Sequence, residues 1–133
     1  MKETILGNHL RKVPSIAVGC MRLSEKSKDE MNHFIHSALE QGAYFFDHAD
    51  IYGGGMSETV FGEAFSGDPS LKREDIFLQS KCGIRQGFYD LSKDHILESV
   101  DGILKTSADG LPRSFAAPPA GCARRTRRCS CRL

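Results

Sequence analysis

The sequence predicts an α/β fold in which strands alternate with helical crossovers and therefore run parallel. Three observations carry this. Strand-like and helix-like segments alternate three times between Ser15 and Lys105. Each helical segment repeats its apolar residues at helical spacing. Each strand candidate is a short apolar or aromatic run of the kind covered on both faces. No G-x-G-x-x-G follows the first strand candidate, which argues against a Rossmann dinucleotide fold. A three-layer α/β sheet and a barrel both fit the alternation, and pattern alone does not choose between them.

The elements follow in order. Thr4–Lys12 reads as a small hairpin ahead of the first strand, and Ser15–Val18 is that strand. Ser27 and Glu30 have the spacing of a capping box, in which each side chain satisfies an exposed helix N–H. Met31, Phe34, Ile35, Ala38 and Leu39 then form one apolar face, and Gly42 ends the helix. Ala43–Asp47 is a second strand and Gly53-Gly54-Gly55 a loop. Ser57 is placed to cap a second helix reaching about Phe65, with Val60, Phe61 and Ala64 inward. Asp75–Lys81 is a third strand, and a third helix runs from Lys93 to Lys105 with Ile96, Leu97, Val100, Ile103 and Leu104 on its buried face.

Composition divides the 133 residues in two. Residues 106–133 hold six arginines and one acid, Asp109, while residues 1–105 hold 12 bases and 16 acids. The later segment also carries three of the five prolines and three of the five cysteines, Cys122, Cys129 and Cys131. It shows neither strand nor helix periodicity and has few large apolar side chains, so it is expected to lack a packed core. The reading is thus a body, 1–105, and a disordered tail of different origin, 106–133.

Several classes are set aside. No apolar run approaches 18 residues, so no membrane span or membrane partner is expected. The stretch MKETILGNHLRKV lacks the apolar region of a signal peptide, so the expected location is the cytoplasm. An odd number of cysteines then argues against a disulfide framework. No metal is expected: His33 and His36 lie three apart without an acidic or cysteine cluster and read as surface histidines, and the tail cysteines fit no zinc spacing. His48 reads as packing near the active face, Cys82 as a small filler.

Three residues carry the chemistry. Asp47 ends the second strand, Tyr52 lies five positions on, and Lys81 ends the third strand. In a barrel, strand C-termini and the loops after them build the active face. A phenol is a weak proton donor at neutral pH, and a neighbouring ammonium improves it by stabilising the phenolate. A carboxylate beside the ammonium keeps it charged and in place. Such a set can protonate a carbonyl oxygen as hydride reaches the carbon.

FFDHADIYGGGMSETVFGEAF and IFLQSKCGI resemble signature segments of the aldo-keto reductase family, closest to its bacterial predicted-oxidoreductase subgroup. The resemblance covers about residues 4–105 and implies the first part, about three βα units, of a (β/α)8 TIM barrel with an N-terminal hairpin. It implies reduction of a small-molecule aldehyde or ketone with NADP(H), catalytic roles for Asp47, Tyr52 and Lys81, and cofactor contacts from Gly19, Cys20, Met21, Arg22 and Asp47. The family's fourth catalytic residue is a histidine in a segment resembling Leu-Leu-Leu-His-Arg-Pro-Asp. Every histidine here precedes residue 96.

The genetic code accounts for that gap. One extra base at the Lys105 codon would shift the frame, and reading residues 105–128 back into the earlier frame permits KRLQTDYLDLLLLHRPDALVEPE. The missing histidine is then encoded across the Pro118 and Pro119 codons. Arginine, proline and cysteine excess is also what out-of-frame reading of a GC-rich gene produces. On this reading the tail arginines are not a nucleic-acid arm, and the 133-residue chain is expected to be inactive. A non-catalytic interaction fragment and a basic-tail nucleic-acid binder are the alternatives.

Overall fold

A computed structural model describes residues 1–6, 11–106 and 114–116. The hairpin consists of β1 (Glu3–Leu6) and β2 (Arg11–Pro14), antiparallel with Thr4 opposite Val13. The body then runs β3 (Val18–Gly19), α1 (Lys28–Glu40), β4 (Phe45–Asp47), α2 (Met56–Ser66), β5 (Phe77–Lys81) and α3 (Lys93–Thr106). Strands β3, β4 and β5 are neighbours and parallel, so the expected β-α-β-α-β-α order stands. This is a partial α/β barrel. Strand β3 lies later than the expected Ser15–Val18, and β4 and β5 are shorter than the runs that mark them, because Ala43 closes the preceding helix through a hydrogen bond to Ala38 and residues 73–75 form a 3-10 turn.

The sheet has two unlike faces. Phe46 and Leu78 point to the helices and pack with Met31, Ile35, Phe61, Ala64 and Phe65. Phe45 and Phe77 point the other way, with ring centroids 4.7 Å apart, and Val13 of the hairpin covers them. The hairpin therefore seals the N-terminal end of the sheet. Ser27 and Glu30 form the capping box as expected, at 2.8 and 3.3 Å.

Three expectations are corrected. Ser57 does not cap α2: Gly55 holds the cap position in a left-handed conformation, and Ser57 is already helical. The buried face of α3 is His95, Ser99 and Ile103, while Leu97 and Leu104 are exposed. Among the described residues α3 packs beside α2. His36 lies at the surface and carries an ion pair there: its Nε2 is 2.8 Å from Asp68, which also accepts from Asn32 at 2.7 Å. These bonds and those from Ser70 hold the Asp68 carboxyl well below the usual range and tie α1 to the turn after α2. Finally, Ser114–Ala116 of the tail forms β8, parallel to β5. Pairing uses backbone groups, and the open edge of β5 offers them to a stretch lying between Pro112 and Pro118 whatever its side-chain pattern. The other tail residues, from 107 on, lie outside the described residues. A short hairpin, β6 (Ile84–Arg85) with β7 (Phe88–Tyr89), follows β5. No described helix is long and apolar enough to cross a membrane.

Candidate active site

Asp47 and Lys81 end adjacent parallel strands on the same side of the sheet. Asp47 pairs with Gln79, which places Lys81 two residues further along β5 and on the same face. Lys81 Nζ donates to Asp47 Oδ2 at 2.8 Å and to the His48 carbonyl at 2.9 Å. Gln79 Nε2 donates to Asp47 Oδ1 at 2.9 Å, so both carboxylate oxygens are held. Burial alone would weaken the Lys81 ammonium, but the bonds to Asp47 and Tyr52 outweigh it and hold its pKa above the ordinary lysine value. Lys81 thus stays charged at neutral pH.

Tyr52 comes from the loop after β4. Tyr52–Gly55 is a tight turn in which Gly53, Gly54 and Gly55 all have positive φ. The Lys81 Nζ lies 4.8 Å from the centre of the Tyr52 ring. The turn leans on the loop after β3: a Cβ on Gly53, where φ is +59°, would collide with the Ser24 Cβ. Gly53→Ala is expected to lower stability by about 2 kcal/mol through backbone strain and overpacking, read by urea unfolding. An unchanged midpoint would show that the turn gives way freely.

The segment after β3 is placed unevenly. Gly19, the last residue of β3, pairs with Asp47, and Met21 and Arg22 beyond it are exposed. Cys20 turns inward. Its side chain is wholly buried, and burial, with the Asp47 charge nearby, pushes its thiol up to about 12. Its backbone N–H donates to the Asp47 carbonyl at 3.0 Å, and its carbonyl accepts from the Ser57 hydroxyl at 2.6 Å. Cys20 therefore builds the loop through its backbone. Sequence reading missed the β6–β7 hairpin. Its Ile84, Phe88 and Tyr89, with Met21, Ile51 and Met56, stand exposed on the segments that follow β3, β4 and β5.

His48 is 2% exposed, packs edge-on against Phe61, and neither ring nitrogen has a partner among the described residues. Burial pulls its pKa from 6.5 to about 4, against the opposing pull of Asp47. The unfolded chain therefore takes up a proton over that window which the folded chain refuses. Stability is expected to fall by roughly 3 kcal/mol as the pH drops through it. Urea unfolding above and below the window, for the parent and for His48→Phe, checks this. The same acid loss in both would acquit His48.

Residues 15–108 match the aldo/keto reductase family. The chain belongs to that family. The oxidoreductase YcsN of Bacillus subtilis is 42% identical over 95 residues, which are 62% of this chain and 31% of that one. The 6-dehydroglucose reductase of Novosphingobium aromaticivorans is 35% identical over 108 residues, 74% of this chain and 35% of the relative. The aldo-keto reductase AKR11C1 from Bacillus halodurans, solved in its holo form, superposes with a TM-score of 0.72 at 29% identity, over 88% of this chain and 40% of that structure. This aldo/keto reductase chain therefore spans about a third of the length of the curated relatives it matches.

Proposed function

We propose that the Asp47–Tyr52–Lys81 centre serves NADPH-dependent reduction of a small-molecule aldehyde or ketone to the alcohol. The observation that carries this is the Lys81 ammonium, 2.8 Å from the Asp47 carboxylate and 4.8 Å from the Tyr52 ring, at the C-terminal ends of parallel strands. Tyr52 holds a proton at Oη for the carbonyl oxygen. Lys81 lies where it stabilises the phenolate left behind, and Asp47, fixed by Gln79, holds Lys81 there. A reduced nicotinamide, when bound, supplies hydride to the carbonyl carbon. The residues present fit the nicotinamide end of such a cofactor: exposed Gly19 pairs with Asp47 and leads toward exposed Met21 and Arg22, and the donor set suits a carbonyl. By resemblance, the groups that hold the cofactor's phosphates lie on later loops of the barrel.

The frame reading belongs to this proposal. Its support is the family match ending at residue 108, close after Lys105, and the family-like continuation hidden in the shifted codons. As a polypeptide of these 133 residues the chain is then inactive. The test is NADPH consumption with a panel of aldehydes and dicarbonyls, for this polypeptide and for one with the frame restored. Robust turnover by the 133-residue polypeptide would refute the frame reading, and none in the restored one would refute the reductase reading.

A further inference from the structure

We propose that Glu58 is a positioning residue for the centre, clamping the first turn of α2 under Lys81 and so holding the Tyr52 turn over the ammonium. The proposal rests on reading Asp47, Tyr52 and Lys81 as the catalytic set. Glu58 is the third residue of α2, where a glutamate normally lies in solvent and reaches back to its own helix cap. Here it is 5% exposed, and its Oε1 accepts a hydrogen bond from the Ser80 hydroxyl. Ser80 precedes Lys81, so alternation along β5 turns Ser80 toward α2 and Lys81 into the site. One turn of helix thereby grips the strand at the residue before the functional lysine.

Ser57 adds a second grip. Its hydroxyl donates to the buried Cys20 carbonyl at 2.6 Å. The start of α2 is thus pinned to the ends of both β3 and β5. The Tyr52–Gly55 turn runs into α2 without a linker, so its placement follows from these two bonds. Burying a carboxyl in this way is unfavourable, and burial raises the Glu58 pKa, with Asp50 adding to the rise while Ser80 and Lys81 oppose it. An uncharged apolar residue would pack there at lower cost, which argues for a reason to keep the acid.

The test uses the 133-residue chain and needs neither substrate nor cofactor. The titration of Lys81 is followed by NMR at its ε-carbon, since its raised pKa depends on Asp47 and Tyr52. Glu58→Ala is expected to shift the Lys81 titration downward. Glu58→Gln keeps an acceptor for Ser80 and is expected to leave it at the parent value. Tyr52→Phe is expected to lower the Lys81 titration in the parent and to have a smaller effect in the Glu58→Ala background. An equal shift in Gln and Ala variants would mean that Glu58 acts through its charge and would overturn the clamp. So would no shift in either, or an undiminished Tyr52→Phe effect. Should Glu58→Ala not fold, Ser80→Ala removes the same bond from the other side and is read in the same way. Failure of the reductase reading would show instead as absent turnover in the frame-restored chain, with the Lys81 titration unaffected.

Discussion

Removing one base at the Lys105 codon is expected to produce a protein that consumes NADPH with aldehydes, where the 133-residue polypeptide consumes none. Asp47, Tyr52 and Lys81 provide a proton and its tuning, but hydride transfer also requires the reacting carbon held at near-attack distance. Such positioning supplies roughly 7–11 kcal/mol in the best intramolecular cases, so its loss takes turnover down by about five powers of ten or more. The sheet geometry supports the repaired reading. Asp47 pairs with Gln79, two residues short of Lys81, and Lys81 pairs with Ala116. The restored frame permits leucines at positions 114–116 and a histidine at position 118, again two residues further on. An advance of two keeps each group on the same face, and a regular stagger between neighbouring strands is what a closed barrel needs. The measurement is NADPH consumption by the two purified polypeptides at equal concentration. Comparable rates would remove the frame reading.

In the frame-restored protein, Tyr52→Phe is expected to lower kcat by about 10²–10⁴ with little change in KM. That is the range over which a positioned acid contributes. The substitution removes the proton and keeps the ring, so the packing over the Lys81 ammonium at 4.8 Å survives. Tyr52 is only half-buried, and its loss of a hydroxyl should leave the unfolding midpoint in place. A loss confined to kcat marks an interaction made in the transition state, whereas a rise in KM alone would mark one made equally to the bound substrate. A kcat within about threefold of the parent would mean that another group delivers the proton.

Local signals settled much of this chain. The Ser27–Glu30 box, the inward face of α1 and the aromatic run ending in Asp47 need only neighbours within a few residues, and those neighbours are readable along the sequence. The spacing from Asp47 through Tyr52 to Lys81 was equally legible, because strand ends and the loops after them face one way in any parallel α/β unit. Other features were decided by contacts between distant segments. His36 has its partner 32 positions away, and Glu58 meets Ser80 across 22. His36 read as a surface residue of its helix, and no local spacing marked Glu58. Ser57 resembled a cap because capping residues are hydroxyls, yet the cap went to Gly55, whose left-handed backbone the tight turn requires, and the hydroxyl was free to bind Cys20. On α3 the apolar stripe was wider than the surface available to cover it, so packing chose His95 and Ser99 and left Leu97 and Leu104 out. Periodicity reports which side chains prefer to be buried, and only the neighbours supplied by tertiary structure determine which of them are. The sequence by itself thus determined the order of elements and the chemical set, both products of short-range pattern. The tertiary structure decided how that set is held, since the bonds that hold it join backbones and side chains whose encounter no local spacing encodes.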